Sequence, residues 1–129
     1  MKIGELSKKS DCSVQTIRYY EKEGLLTKPE RSEGNYRLYS NKNLRELEFV
    51  KHCRNLDISL IDIKRLNELK GKPDESCASV NKLIEQQLEL VNKRIRELKA
   101  LKAELQQMAE YCTNENTVEA CGIIKSLDS

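Results

Sequence analysis

The sequence predicts a mainly α-helical protein, in which a small winged helix-turn-helix domain precedes a long amphipathic helix. Three observations point to this class. Charged residues make up 34% of the 129 residues and aromatic residues only 5%, which suits a helical protein with much surface and little core. Near the N-terminus, short apolar repeats of helical period alternate with polar turns. In the second half, a heptad repeat extends over more than twenty residues.

Breaks in these patterns divide the chain into four segments. Residues 1–70 hold the winged helix-turn-helix pattern, and the breakers Gly71 and Pro73 place a hinge at residues 71–78. A long helix is expected over 79–112, followed by a polar loop and a short terminal helix over 113–129. Lys and Arg outnumber Asp and Glu by 15 to 11 in residues 1–70, but number 8 against 10 afterwards. A mildly basic front half suits a nucleic-acid partner.

Composition also limits the location and the class of activity. The N-terminal residues contain no apolar run of the signal-peptide kind, and no later segment approaches the roughly 20 apolar residues of a membrane span. We therefore expect a cytoplasmic protein with no membrane partner, where thiols stay reduced. Five cysteines, an odd number, also argue against a disulfide framework. No nucleophile–base pair, phosphate loop or acid pair appears, so the chain is not expected to be an enzyme.

The first two helices are predicted from their apolar stripes and caps. Ile3 and Leu6 mark a short first helix, and Ser13 is a suitable N-cap for a second helix that runs to Lys22. Amide, hydroxyl and phenol groups occupy the outward face of this second helix, where they suit a major groove and its phosphates. Those residues are Gln15, Thr16 and Tyr19, with Arg18 and Tyr20 on the flanks. Periodicity alone would fit an ordinary amphipathic surface helix equally well.

The next segment favours the DNA-binding interpretation. Residues 31–39 alternate large and polar side chains around Gly34-Asn35, which predicts a β-hairpin. Arg31 and Arg37 on such a ribbon could grip phosphates beside the second helix. Two amphipathic helices are expected afterwards. One runs from about Asn43 to Asn55, and the other begins at Ser59, which with Asp62 resembles a capping box.

Four short motifs in this region resemble the signature of the MerR family of transcriptional regulators. They are Ile-Gly-Glu-Leu at 3–6, Thr-Ile-Arg-Tyr-Tyr-Glu at 16–21, Gly-Leu-Leu at 24–26 and Asn-Tyr-Arg-Leu-Tyr at 35–39. The resemblance implies a homodimer that binds an inverted repeat within a promoter and acts there on RNA polymerase. Combined with the faces described above, it predicts these DNA-contacting residues: Thr16, Arg18, Tyr19, Tyr20, Arg31, Asn35, Tyr36 and Arg37.

The long helix carries a heptad seam, interrupted only by Lys102, which predicts dimerisation. Its members are Ile84, Leu88, Val91, Ile95, Leu98 and Leu105. Cys77 and Cys112 lie 35 residues apart, or five heptads, which an unbroken helix would stretch over roughly 50 Å. A metal ion holds sulfur ligands at about 2.3 Å. In a parallel pair Cys77 would face its own copy, whereas an antiparallel pair would bring Cys77 to Cys112 of the other chain. The family resemblance implies the antiparallel arrangement.

Cys112 and Cys121 bracket a polar loop of eight residues. Together with the residues flanking Cys77 and Cys121, this resembles the CadR/PbrR subgroup of the family, which responds to cadmium and lead. The resemblance implies a three-cysteine metal site of Cys77, Cys112 and Cys121, with Cys77 donated by the other subunit. Three thiolates favour large soft cations, so Cd(II) or Pb(II) is the expected inducer, Hg(II) is possible and Zn(II) is less favoured. The chain lacks the His-rich tail that accompanies a second site in some cadmium sensors.

By this resemblance, metal binding would distort the promoter and activate metal-resistance or efflux genes. Two alternatives stay open. One is a Hg(II)-responsive regulator of the same fold, and the other is a thiol-based redox sensor that uses the same cysteines. A drug-sensing relative is disfavoured because only 17 residues follow Cys112. Cys12 in the turn and Cys53 on an apolar helical stripe are expected to be structural.

Overall fold

The computed structural model describes all 129 residues and confirms the mainly α-helical class. It divides into two compact units, Met1–Leu83 and Ile84–Ser129, which are described in turn. No helix has both the length and the apolar character that crossing a membrane requires. Six helices and one two-stranded sheet follow the order α1 Ile3–Ser10, α2 Val14–Lys22, β1 Glu30–Arg31, β2 Arg37–Leu38, α3 Asn41–Asn55, α4 Leu60–Lys70, α5 Ala78–Ala109 and α6 Gly122–Asp128.

Helices α1 and α2 form the expected helix-turn-helix. Helix α1 ends at Ser10, and its C-cap residue Asp11 has a left-handed φ of 56°, a conformation that Asp tolerates better than most residues. Ser13 then caps α2, since its hydroxyl oxygen accepts the Thr16 N–H at 3.1 Å. Ile17 is fully buried in one cluster with Leu6. Burial of this inner stripe fixes which face of α2 is left for a partner.

The predicted β-hairpin is also present. Its strands are antiparallel, with Arg31 opposite Arg37. The connecting turn is closed by the Ser32 N–H, which donates to the Tyr36 carbonyl at 2.8 Å, and Asn35 sits at φ 63°. Just beyond β2, Tyr39 is buried. The Tyr39 carbonyl oxygen accepts from the N-terminal ammonium at 2.7 Å. This bond ties the β1–β2 hairpin, which is the wing of the domain, to the start of the chain.

Helix α3 begins at Asn41, two residues before the expected start. The reason is a capping box. The Ser40 hydroxyl accepts the Asn43 N–H at 3.2 Å, and the Asn43 side-chain oxygen accepts the Ser40 N–H at 2.9 Å. Ser59 caps α4 as expected, accepting the Asp62 N–H at 3.2 Å.

The core of the first unit consists of two clusters of buried side chains. The first contains Leu6, Ile17, Leu26, Tyr39 and Leu47, and the second contains Leu25, Val50, Cys53, Ile58 and Ile63. Cys53 is thus a core residue, as predicted, and burial raises the pKa of its thiol. Cys12 packs against the first cluster. These cysteines therefore serve packing.

The second unit consists of most of α5, a loop and the short helix α6. No residue after Leu83 is buried. Along α5 the seam is exposed from end to end, at Ile84, Leu88, Val91, Ile95, Leu98 and Leu105. After α5 the chain turns through short-range hydrogen bonds and enters α6 at Gly122. This unit therefore carries an apolar helix face that its own residues do not cover.

Candidate DNA-binding surface and metal centre

The outward face of α2 presents the polar groups that the sequence predicted. Arg18 and Tyr19 are exposed. Thr16 is half-buried, and its hydroxyl oxygen accepts the Ser13 hydroxyl at 2.8 Å, which leaves the Thr16 hydroxyl proton free to donate. Tyr20 is half-buried and packs against both core clusters. Of the four predicted contacts on α2, Tyr20 is thus the one whose ring also supports the core.

Between α2 and the hairpin lies a basic groove of about 550 Å³. Arg18, Arg31 and Arg37 line it, and they also line a smaller cavity of about 210 Å³ on the Asn35 side of the hairpin. Arg18 of the helix is thereby brought together with the four predicted residues of the hairpin, whereas Thr16, Tyr19 and Tyr20 line neither cavity. Three lysines that the sequence analysis missed line the same two cavities: Lys2, Lys22 and Lys28. Lys22 follows Arg18 by four residues, a helical spacing that could have revealed it.

Arg37 is held in place by a carboxylate that the sequence analysis also missed. Its Nε lies 3.3 Å from Glu21 Oε2, and the Glu21 side chain is only 15% exposed. The same oxygen accepts the hydroxyl of buried Tyr39 at 3.3 Å. Burial, and then the charge of Glu21, raise the pKa of Tyr39. Because only Nε of Arg37 is used in this ion pair, its terminal nitrogens can still meet a phosphate.

The other wing residues are arranged by local contacts. Arg31 donates from Nη1 to the Asn35 carbonyl at 3.1 Å. Tyr36 is 62% exposed, and the Lys2 ammonium lies 5.1 Å from the centre of its ring. An ammonium at this distance is attracted to the ring face. The hairpin therefore offers two cations and one phenol from a short ribbon.

At the other end of the chain, Cys112 and Cys121 are brought together. Cys112 follows the end of α5 and Cys121 immediately precedes α6, and the two side chains are within hydrogen-bonding reach of each other. Both are half-buried. The loop between them is closed by local bonds, including that from the Asn116 N–H to the Thr113 carbonyl at 3.1 Å. The two thiols thus form a pair within one chain.

The surroundings of Cys121 favour its thiolate. The backbone N–H of Ile124 lowers the pKa of Cys121 most, followed by the Cys112 thiol. Desolvation opposes them, and the Ile123 N–H adds a smaller lowering of the pKa. The thiolate is the form that binds metal. A lowered pKa therefore reduces the free energy needed to remove the thiol proton when metal binds.

Cys112 has a different environment. Its thiol donates to the Thr113 carbonyl at 3.4 Å, and the Asn116 side-chain amide lies 3.9 Å from its sulfur as a donor. On loss of the proton the bond to Thr113 would be lost, whereas the Asn116 amide could still donate to the thiolate. The sequence analysis did not single out Asn116, because no spacing rule identifies such a donor.

Cys77 is exposed and sits at the start of α5, where its carbonyl accepts the Asn81 N–H at 2.9 Å. It belongs to the first compact unit and the other two thiols to the second. Within the single chain no three His, Cys, Asp or Glu side chains form a group that could hold a metal ion. The three-cysteine ligand set therefore stays a prediction. His52, the one histidine of the chain, is exposed on α3.

Comparison with known proteins shows which families match this chain and which proteins are similar to it. Residues 1–70 match the MerR HTH family regulatory proteins, and residues 44–108 match the family described as MerR, DNA binding. The HTH-type transcriptional regulator ZntR homolog of Haemophilus influenzae is 42% identical over 110 residues, which cover 85% of this chain and 82% of the relative.

Two solved structures are similar over nearly the whole chain. The transcription regulator PbrR691 from Ralstonia metallidurans CH34, in complex with lead(II), is 45% identical with a TM-score of 0.88 and 98% of both chains covered. HiNmlR, a MerR family regulator lacking the sensor domain and bound to promoter DNA, is 29% identical with a TM-score of 0.64. That match covers 100% of this chain and 96% of HiNmlR.

Proposed function

Because this chain belongs to the MerR family of helix-turn-helix transcriptional regulators, and not to a family of enzymes, we propose that it senses Cd(II) or Pb(II). In this proposal a cytoplasmic homodimer binds an inverted repeat in a promoter. Metal binding at Cys112, Cys121 and Cys77 of the partner subunit then switches on metal-resistance or efflux genes. The observation that carries the proposal is the pairing of Cys112 with Cys121, whose pKa is lowered.

The basic surface of the first unit supports the DNA-binding part. Phosphate contacts from cations give most of the affinity of such surfaces, and polar groups on a helix read base edges. Here Arg18, Arg31 and Arg37 line one groove beside the outward face of α2. A relative of the same family, HiNmlR, has been solved on promoter DNA. Two copies of this surface would read the two halves of an inverted repeat.

The chemistry of the thiols supports a soft cation. Two adjacent sulfurs, one with a lowered pKa, match large polarisable ions and disfavour hard ones such as Mg²⁺. Lead(II) is bound by PbrR691, which shares 45% of its residues with this chain. Cd(II) prefers the same kind of donor, which is why both ions are kept in the proposal.

A homodimer is supported by the uncovered apolar seam of α5. Covering Ile84, Leu88 and Ile95 with the same stripe of a second chain would remove exposed apolar surface from water. In an antiparallel pair centred near Ile95, Cys77 of the partner subunit would approach Cys112, because the two residues are five heptads apart. The metal site would then join the two subunits.

The proposed switch follows from that joint site. A metal that ties two subunits together can favour one of two dimer arrangements, provided it binds that arrangement more tightly. We propose that the favoured arrangement distorts the promoter so that RNA polymerase can engage it. A coupling free energy of about 1–3 kcal/mol is the usual scale for such a switch.

Anaerobic titration of the reduced protein with Cd²⁺, Pb²⁺, Hg²⁺ and Zn²⁺ tests the metal site directly. Thiolate-to-metal charge-transfer absorption should saturate with the intensity of three thiolates, and Cd²⁺ or Pb²⁺ should bind well above Zn²⁺. Cys121→Ser should weaken metal binding and reduce this band to at most the intensity of two thiolates, while DNA affinity is retained. Cys12→Ser, which removes a thiol that packs against the core, is the matched control and should keep the band.

Two outcomes would contradict the proposal. Absence of a charge-transfer band with every ion would leave the thiols to oxidation, and a reversible disulfide that alters DNA binding would establish the redox alternative. A band of unchanged intensity in Cys121→Ser would remove that residue from the site. Tightest binding of Hg²⁺, together with induction by mercury alone, would establish the Hg(II)-responsive alternative.

The DNA surface has its own test. Arg31→Ala should weaken binding to promoter DNA and reduce the dependence of log K on log salt by about one unit, as expected for one lost phosphate contact. Lys93→Ala removes a cation from α5, where Lys93 pairs only with Glu97, and should leave the salt dependence unchanged. Equal slopes for both variants would exclude Arg31 from the DNA contacts.

A further inference from the structure

The start of helix α6 lies against the segment that follows helix α5, where Gly122 meets Tyr111. A Cβ atom on residue 122 would overlap the carbonyl oxygen of Tyr111, and it would lie 3.1 Å from the Tyr111 Cβ and 3.2 Å from its carbonyl carbon. Two of these three are backbone atoms, which cannot rotate away as the end of a long side chain can. Any residue larger than glycine would therefore force the two segments apart.

We propose that Gly122 is a positioning residue that holds Cys121 beside Cys112, so that the two thiols are paired before any metal arrives. The role of that pair in metal binding rests on the proposed function, whereas the pairing itself rests on the contact between Gly122 and Tyr111.

The place of the contact in the sequence explains its effect on the thiols. Tyr111 directly precedes Cys112, and Gly122 directly follows Cys121. This contact is thus one residue away from each sulfur-bearing residue. The backbone hydrogen bonds within the loop are short-range, such as that from the Cys121 N–H to the Val118 carbonyl at 3.1 Å, and these do not join its two ends.

Backbone conformation does not explain a glycine here. Gly24 is the glycine with positive φ, at 79°, and there a side chain would be strained whatever the space around it. Gly122 has no such φ, and what excludes a side chain is the neighbouring backbone. Gly4 in α1 is the opposite case, since a Cβ there would meet nothing within 4 Å.

Pairing in the metal-free protein has a consequence for affinity. Bringing the two ends of a flexible loop together has an entropic cost, and a chelate that is already closed does not meet this cost when the metal binds. Loss of a residue that orients metal ligands typically weakens metal binding 10- to 100-fold. We expect a weakening of about that size when Gly122 gains a methyl group, with the change falling on the Cys112–Cys121 pair.

The test compares full-length Gly122→Ala with Gly4→Ala, which adds the same methyl group where space is open. The first readout needs no metal. The reduced protein is treated with diamide, a diazene oxidant that takes up two electrons and two protons while two thiols form a disulfide. The rate of the Cys112–Cys121 bond is followed by mass spectrometry of the single peptide that contains both. Gly122→Ala should slow this rate at least about tenfold, and Gly4→Ala should match the unaltered protein.

A second variant separates the contact from the stability of α6. Ser126→Gly weakens that short helix without approaching Tyr111, and it should keep most of the disulfide rate. Gly122→Ala oxidising at the rate of the unaltered protein, or Ser126→Gly slowing as much as Gly122→Ala, would overturn the inference.

The metal titration is then repeated on the same variants. Gly122→Ala should show weaker binding and a shifted charge-transfer band, with the affinity for promoter DNA unchanged. Slower disulfide formation in Gly122→Ala, combined with no metal band in the unaltered protein, would uphold the positioning role and reject the proposed metal function. Unchanged metal affinity despite slower disulfide formation would overturn the claim that pairing supports metal binding.

Discussion

The two compact units of this chain solve the problem of apolar surface in different ways. Residues 1–83 contain every buried side chain of the protein, and most of the apolar ones are gathered into two clusters around α3. Residues 84–129 contain none, although a stripe of Ile, Leu and Val follows the whole of α5 within that unit. The first unit therefore covers its own core, while the second presents the surface of a core that a second chain would complete.

The units also differ in how they hold their functional groups. In the first, the carboxylate of Glu21 fixes Arg37 and is itself bonded to buried Tyr39. In the second, a close backbone contact at Gly122 brings Cys121 to Cys112. In each case a residue that is not itself a predicted DNA contact or metal ligand decides where the functional side chain lies. The DNA-binding surface depends on charge and core, whereas the thiol pair depends on the absence of a side chain.

The largest effect is expected from breaking the α5 seam. In the proposed antiparallel dimer, Ile95→Asp removes two apolar side chains near the centre and places two carboxylates there. Loss of burial alone costs about 3–6 kcal/mol for the two residues, and the buried charges add to it. The dimer dissociation constant, measured by sedimentation, should rise at least about 100-fold.

Ala100→Asp is the matched control for this change. It adds the same carboxylate to the same helix on the face opposite Ile95, and Ala100 is exposed. Dimerisation should persist in this variant. A dimer that tolerates Ile95→Asp equally well would show that the seam is not the interface, and the contrast between the two units would lose its explanation.

The next effect sharpens the same contrast with one truncation in each unit. Leu47 is fully buried in the first unit, and Leu98 is 64% exposed in the second. Leu47→Ala should lower the free energy of unfolding by about 2–5 kcal/mol, by the same amount at every protein concentration. Leu98→Ala should act through dimer dissociation, so its effect should grow on dilution. Urea unfolding at two protein concentrations distinguishes them.

The opposite result for either variant would contradict this assignment of the two leucines. A concentration-dependent effect of Leu47→Ala would mean that the first unit also relies on the second chain for its stability. A concentration-independent effect of Leu98→Ala would mean that this residue packs within its own chain, contrary to its exposure.

What the sequence could predict was mostly local. The bounds of α2, its cap at Ser13 and the paired arginines of the hairpin follow from patterns a few residues long. The start of α3 was misplaced because its capping box uses Asn43, where the usual partner is Glu or Gln. This difference is small, since the box itself obeys the expected spacing of three residues.

The contacts that the sequence could not predict join distant segments. Nothing in the motif around Glu21 says that its carboxylate will meet Arg37 and Tyr39, which lie 16 and 18 residues further on. Gly122 looks like an ordinary helix start until Tyr111 is placed against it. The seam of α5 and the loop spacing were visible in the sequence, but the close approach that pairs the thiols depends on tertiary structure.

The smallest effect concerns pH and tests how the first unit holds its wing. The pKa of Tyr39 is raised above the ordinary tyrosine value of 10.0, chiefly by burial and then by Glu21. The unfolded chain therefore loses this proton at a lower pH than the folded one. The stability involved is fully present below about pH 10 and is lost as pH rises through the raised pKa. Unfolding in urea at pH 8 and at higher pH should show this loss.

Tyr39→Phe removes the titrating group and should flatten that alkaline loss. At neutral pH it should cost about 1 kcal/mol, the usual net value of one hydrogen bond. Tyr36→Phe removes a phenol that is 62% exposed and should keep the pH dependence of the unaltered protein. If Tyr36→Phe flattened the loss instead, stability at high pH would depend on the exposed ribbon, and burial would not be what ties the wing to the core.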